Sequence, residues 1–225
     1  MPDFISILAS LFAVVVVLSL HEFAHAFVAD KCGDPTAKFM GRMTLNPLKH
    51  FDPLGIFLFV FARFGWAKPV PINPNNFRNR KWGSFWTSAA GILVNYFSAF
   101  FVFYPLMILT QLYVLPIFEG KYMAIFLYAL TLYFYSYSIS FAVFNFLPVY
   151  PLDGFRMWDA LDQKNYKILN FLRAYGSYIL MGLILINVFA SYMPILNYIN
   201  VLGFAMQTIG GWISWPIVKF WALIF

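Results

Sequence analysis

Charge is scarce in this sequence. Only 11% of its 225 residues are Asp, Glu, Lys or Arg, and 62% are hydrophobic, so a water-soluble globule of this composition would lack the polar surface to cover itself. That excludes the soluble classes and places the chain in a membrane. Cysteine is scarcer still. A lone Cys32 excludes an internal disulfide and any metal site built on paired cysteines, and it reads as a small residue at a helix end. The opening MPDFISILAS has neither the Lys/Arg of a secretory signal nor a small-residue cleavage site after it, so the first helix is expected to stay in the mature protein. Internal repeats, low-complexity tracts and long linkers are also missing, and residues 1–225 are expected to form a single membrane domain.

What is present in abundance is apolar length. Runs of the ~20 residues that cross a hydrocarbon core of ~30 Å lie at Phe4 to Ala29, Phe85 to Leu112, Tyr122 to Leu147 and Ile168 to Phe189. A weaker fifth, Val201 to Phe225, is interrupted by Gly210, Gly211 and Pro216, and either spans or lies in the interface. The net charge of +6 does not mark a nucleic-acid partner, because nine of the fifteen Lys/Arg residues fall in one connection, Lys31 to Lys81. The positive-inside rule puts that connection in the cytoplasm, the turn near Glu119 and Lys121 outside, and Tyr150 to Arg173 inside again. A multi-pass protein of the plasma (inner) membrane is expected, with the lipid bilayer as its surroundings.

The connection from Lys31 to Lys81 is irregular. Alternation in AKFMGRMTL suggests short strands, and Ile56 to Phe64 is too short to span, which fits a re-entrant or interfacial loop. Non-helical backbone at that depth survives where protein or a water-filled cavity surrounds it. The expected fold is therefore an all-α polytopic membrane protein of four to five transmembrane helices, with a small membrane-associated β/re-entrant region between the first two. A second irregular stretch, FNFLPVYPLDGFRMWDAL, carries Pro148 and Pro151, each of which removes a backbone donor and disfavours helix. Asp153 follows at once.

Against this apolar background, LSLHEFAHAFVA is costly. His21, Glu22 and His25 sit within about one turn, and each ionisable group costs on the order of ~3 kcal/mol in a membrane helix unless paired or metal-bound. In H-E-x-x-H spacing both imidazoles face one side of the helix, ~6 Å apart along the axis, where they can bind one zinc ion. Glu22 beside them can take a proton from an activated water. A catalytic zinc needs a third protein ligand. His21 lies ~25 Å along the helix from Phe4 at ~1.5 Å per residue, near the cytoplasmic face, and Asp153 reaches the same depth from the third span. Asp159 and Asp162 read as solvated, Glu119 lies on the opposite side, and His50 reads as a loop residue making a hydrogen bond.

Together HEFAH in a membrane helix, GRMTLNPLKHFDPLG, GWAKPVPINP and NFLPVYPLDG resemble the site-2 protease family of intramembrane zinc metalloproteases, over most of the chain from His21 to about Arg156. The resemblance implies one zinc held by His21, His25 and Asp153, water activation by Glu22, and a substrate contact from Asn145. It also implies a metalloprotease domain over residues 1–225 and a membrane-protein substrate, a transmembrane regulator among the candidates, cut by regulated intramembrane proteolysis. No PDZ-like insertion, extra leading helix or CBS-like domain is expected, so the chain reads as a minimal form. The alternative function is a divalent-metal (zinc) membrane transporter using the same residues, although no histidine-rich loop is present and few spans are visible. A silent membrane scaffold would leave the cost of Glu22 unexplained.

Overall fold

The computed structural model describes residues 2–62, 65, 67–162, 164 and 166–225, and the regular elements among them are helical. In chain order they are α1 (Pro2–Cys32), α2 (Thr36–Phe39), α3 (Pro53–Ala62), α4 (Arg80–Ser98), α5 (Tyr104–Leu109), α6 (Leu115–Ile117), α7 (Tyr122–Phe146), α8 (Asp153–Leu161), α9 (Lys167–Ala190) and α10 (Val201–Trp221). Two π-helical turns, Ala99–Phe103 and Thr110–Val114, join α4, α5 and α6 into one rod from Arg80 to Ile117. Five of these rods are long and apolar enough to cross a membrane, the last being Val201–Trp221, which runs as one helix through Pro216.

Small residues decide how closely the rods approach. On α1 the fully buried positions include Ala9, Ala13 and Val17, spaced four apart, and the buried His21 and His25 continue that spacing. In lipid there is little hydrophobic gain between helices, so interfaces form where small side chains let backbones come close. This face of α1 packs against α4 and α7. A second apolar cluster, Ala99, Ile139, Val143 and Ile217, ties α7 to α10 and the α4 rod. Leu152, Leu180, Ile184 and Leu202 do the same for α9, α10 and the turn before α8.

The connection between α1 and α4 departs from the expected strands. AKFMGRMTL forms the short helix α2 and a turn with Gly41 at φ 64°. Among the described residues the β contact is one isolated antiparallel bridge, Phe51 to Ala67. Alternation alone cannot make a strand that has no partner for its backbone groups. Here those groups are satisfied locally, with the N–H groups of Phe39, Met40, Gly41 and Arg42 donating to the carbonyls of Pro35, Thr36, Lys38 and Ala37. The run expected to be too short to span folds as α3, ten residues long; Phe64 lies outside the described residues.

Asp34 organises the far end of this connection. Fully buried just beyond α1, its carboxylate accepts from the N–H and hydroxyl of Thr36, from the Asn73 N–H at 2.7 Å and from the Asn76 amide at 2.8 Å. Burial pushes this carboxyl up, but the hydrogen bonds from Thr36, Asn73 and Asn76 outweigh it and hold it below the ordinary carboxylate range. The effect is to clamp Pro69 to Asn76 against the end of α1, where Val70 packs on Ala26 and Ala37.

Candidate metal centre

The third long helix breaks where the two prolines require it. α7 ends at Phe146, and α8 starts at Asp153. Gly154 makes the junction possible, since a Cβ there would lie 2.1 Å from the Phe146 carbonyl oxygen. With nothing in the way, the first turn of α8 folds back on the end of α7 and turns Asp153 inward. Its carboxylate also sits at a helix N-terminus, where the backbone dipoles favour negative charge.

There Asp153 meets the histidines of α1. Its Oδ2 is 3.2 Å from Nε2 of His21 and 3.2 Å from Nε2 of His25, and the two Nε2 atoms are 3.0 Å apart. All three side chains are buried. Asp153 Oδ2 makes no hydrogen bond in this position, an expensive condition for a buried carboxylate oxygen. Two imidazole nitrogens and a carboxylate oxygen converging on one point, with that oxygen otherwise unsatisfied, are the donor set of a zinc site. The residues fit the metal.

The second long helix supplies the support. His25 Nδ1 donates to the Thr87 carbonyl at 2.7 Å, which fixes the tautomer and leaves the Nε2 lone pair aimed at the shared point. On the other histidine, the Asn95 amide lies 3.1 Å from Nδ1 of His21, while Asn95 Oδ1 is buried without a partner. Turning that amide end for end fills the same volume, gives Oδ1 the Nδ1–H of His21 to accept, and frees His21 Nε2 as a ligand. Gly91 permits the approach, because a Cβ on it would fall 2.5 Å from both imidazoles. The sequence reading had passed over Thr87, Gly91 and Asn95. Asn95 carried a signal in its type, a polar amide inside the apolar run Phe85 to Leu112.

Glu22 stands beside this cluster without joining it. Its Oε2 accepts the Val70 N–H at 2.8 Å, so the clamp at Asp34 sets the segment that holds the carboxylate. Asn145 differs from its expected setting. It lies in the last turn of regular helix α7, and its amide donates back to the Phe141 carbonyl at 3.1 Å. The prolines that were expected to loosen it act after Phe146. Among the other acids, Asp159 pairs with Arg173, and Asp162 accepts from the N–H groups of Lys164 and Tyr166. His50 makes a loop hydrogen bond to the Thr44 carbonyl, and Cys32 closes α1.

Among the described residues, fold and site together define an all-helical protein with five candidate membrane spans and a buried His-His-Asp cluster suited to a metal ion. The putative zinc metalloprotease YwhC of Bacillus subtilis is 39% identical over 150 residues, 65% of this chain and 66% of that protein. The putative zinc metalloprotease Rip2 of Mycolicibacterium smegmatis is 44% identical over 55 residues, 23% of this chain and 21% of that protein. No family model matches the chain, and no solved structure does. The chain is homologous to both metalloproteases and belongs with them in the site-2 protease family.

Proposed function

We propose that the protein is an intramembrane zinc metalloendopeptidase that hydrolyses peptide bonds in or near the transmembrane segments of other membrane proteins. The observation that carries this reading is the convergence of His21, His25 and Asp153, with a further carboxylate, Glu22, one residue from a ligand and outside the cluster. His21, His25 and Asp153 would hold one zinc, which when bound supplies Lewis acidity, polarising a carbonyl and making water nucleophilic near neutral pH.

The chain's own groups do the rest. Glu22 takes a proton as water oxygen adds to the scissile carbonyl carbon, and returns it to the departing amide nitrogen as the C–N bond breaks. Thr87 and Asn95 hold the imidazoles in the ligating tautomer. Asn145, in the last turn of α7, is assigned to the substrate, whose backbone its amide reaches by leaving the Phe141 carbonyl. A peptide bond in a membrane helix is hidden by its own hydrogen bonds, so the substrate must unwind before attack. The Lys/Arg distribution supports placing the site at the cytoplasmic face. A transporter would use the same ligands, but both homologues are described as metalloproteases.

Purified protein is expected to carry one zinc and to cleave a membrane-protein substrate in detergent or vesicles. Glu22→Gln should keep the zinc and lose turnover by a factor of about 10² to 10⁴. A Glu22→Gln protein as active as the wild type overturns the mechanism.

A further inference from the structure

In GWAKPVPINP proline stands on both sides of Val70, so Val70 carries the single N–H of residues 69–71. The residue before a proline is kept out of the helical region, and no helix forms there. That one N–H donates to Glu22 Oε2 at 2.8 Å. The carbonyl of the same peptide unit, Pro69–Val70, faces a different group. Nη2 of Arg42 donates to the Pro69 carbonyl at 3.2 Å and to the Lys68 carbonyl at 2.7 Å. A trans peptide is planar, with its carbonyl and N–H pointing opposite ways, so Arg42 and Glu22 sit at the two ends of one rigid plate.

Arg42 is only 8% exposed, and among the described residues no carboxylate pairs with it. Its Nε is buried without a partner as well. A buried cation left uncompensated is expensive, and a neutral side chain could tie down a loop at less cost. What the cation adds is electrostatic. A peptide unit carries a dipole of ~3.5 D, negative at the carbonyl, where Arg42 lies, and positive at the N–H, where Glu22 lies, so the two charges and the dipole reinforce one another. Among the described residues this is the hydrogen bond that Glu22 receives, and its other oxygen stays available for a proton. A direct Arg–Glu pair would cover both oxygens.

The place of Arg42 is itself set from α1. Its N–H donates to the Ala37 carbonyl at 2.8 Å after the turn at Gly41, and Ala37 packs with Ala26 and Val70. Ala26 lies one turn beyond Glu22 on the same face of α1. The contacts close a circuit that begins and ends on that face.

We propose that Arg42 is the positioning residue for Glu22: through the Pro69–Val70 peptide it holds the carboxylate in place for proton transfer. The assignment rests on the protease reading, and adds to it a requirement for positive charge at a residue that is not a metal ligand.

The test uses the zinc-loaded full chain in detergent, with a dye-labelled helix of about twenty Leu and Ala residues carrying a central Gly-Pro pair as substrate. Arg42→Gln removes the charge and should lower kcat roughly 10- to 100-fold, with KM changed by no more than about twofold and zinc content unchanged. Val70→Pro cuts the link at its other end, removing the N–H while leaving the Pro69 carbonyl to Arg42, and should lower kcat by a similar factor. The two together should be no slower than the slower single variant, because both remove one interaction; a role for Arg42 in folding alone predicts losses that multiply. Arg42→Lys keeps the charge and should lose only about 3-fold, a loss that vanishes in the Val70→Pro protein, and it replaces Arg42→Gln throughout if that variant does not fold. Hydrogen exchange in Arg42→Gln should quicken about 10-fold or more at the Val70 N–H and stay unchanged at Asn73, which Asp34 holds. An unchanged kcat, losses that multiply, or exchange that quickens equally at Val70 and Asn73 overturns the assignment. A wild-type protein that cleaves nothing, while exchange at Val70 responds as expected, would instead overturn the protease reading and leave Arg42 as the support of Glu22.

Discussion

The first and last membrane-length helices are both apolar and both carry small residues, yet they do different work. In α1, 39% of the most apolar window is buried within the fold, against 11% in α10. The contrast is sharper at single glycines. A Cβ on Gly91 of α4, which packs on α1, would strike both imidazoles at 2.5 Å, whereas a Cβ on Gly211 of α10 would meet nothing within 4 Å. Small residues around α1 are there for close approach, and the close approach brings the Thr87 carbonyl and the Asn95 amide to the histidines. Gly211 of α10 faces outward, and α10 meets α9 through the apolar cluster that Leu202 and Met206 join. The chemistry is thus concentrated where α1, α4, α7 and α8 meet.

Four substitutions would break or sharpen that contrast. The largest effect is expected from Gly91→Val, which forces the α4 backbone off the imidazoles. Overpacking of this kind costs ~1–3 kcal/mol, so zinc affinity should fall by roughly 5- to 150-fold, read by competition with a chelator. Asn95→Leu should come next, lowering zinc affinity roughly 10-fold or more, while Asn95→Asp, which still accepts from His21 Nδ1, should lose much less.

Asp34→Asn tests the clamp rather than the cluster. Losing acceptors for buried donors should cost ~1–3 kcal/mol locally and speed hydrogen exchange at Val70 while leaving zinc bound. Because the folded carboxyl is held below its ordinary value near ~4, its contribution is complete above that value and is lost as pH falls through the lowered one. Protection at the Asn73 N–H, which Asp34 accepts, should therefore collapse on acidification in the wild type and be low at every pH in Asp34→Asn. The smallest effect belongs to Gly211→Ala, which adds a methyl in open space and removes a flexible residue from a helix. It should leave zinc affinity and turnover unchanged and raise thermal stability slightly, by up to ~1 kcal/mol.

The same contrast explains what the sequence disclosed. His21, Glu22 and His25 were legible because four-residue spacing is a property of one helix, and ionisable groups in an apolar run announce their cost. Asp153 was legible by depth, once the spans were counted from each end. Thr87 and Asn95 act across 62 and 74 residues of chain, through a helix pairing that no local pattern encodes, and Thr87 contributes a backbone carbonyl that any residue possesses. The strand expectation failed for a related reason: alternation in AKFMGRMTL is a local signal, while a strand needs a partner that the fold does not provide. Asn145 shows the limit of proline as a guide, since the helix runs to Phe146 before Pro148 takes effect.

The central claim is that His21, His25 and Asp153 share one zinc ion. X-ray absorption at the zinc edge of the purified, detergent-solubilised protein tests it most directly. The account predicts one zinc per chain with two imidazole nitrogens and oxygen in its first shell, the same spectrum for Glu22→Gln, and loss of the bound zinc in Asp153→Ala. A shell containing sulfur, or a spectrum that Asp153→Ala leaves unchanged, would contradict it.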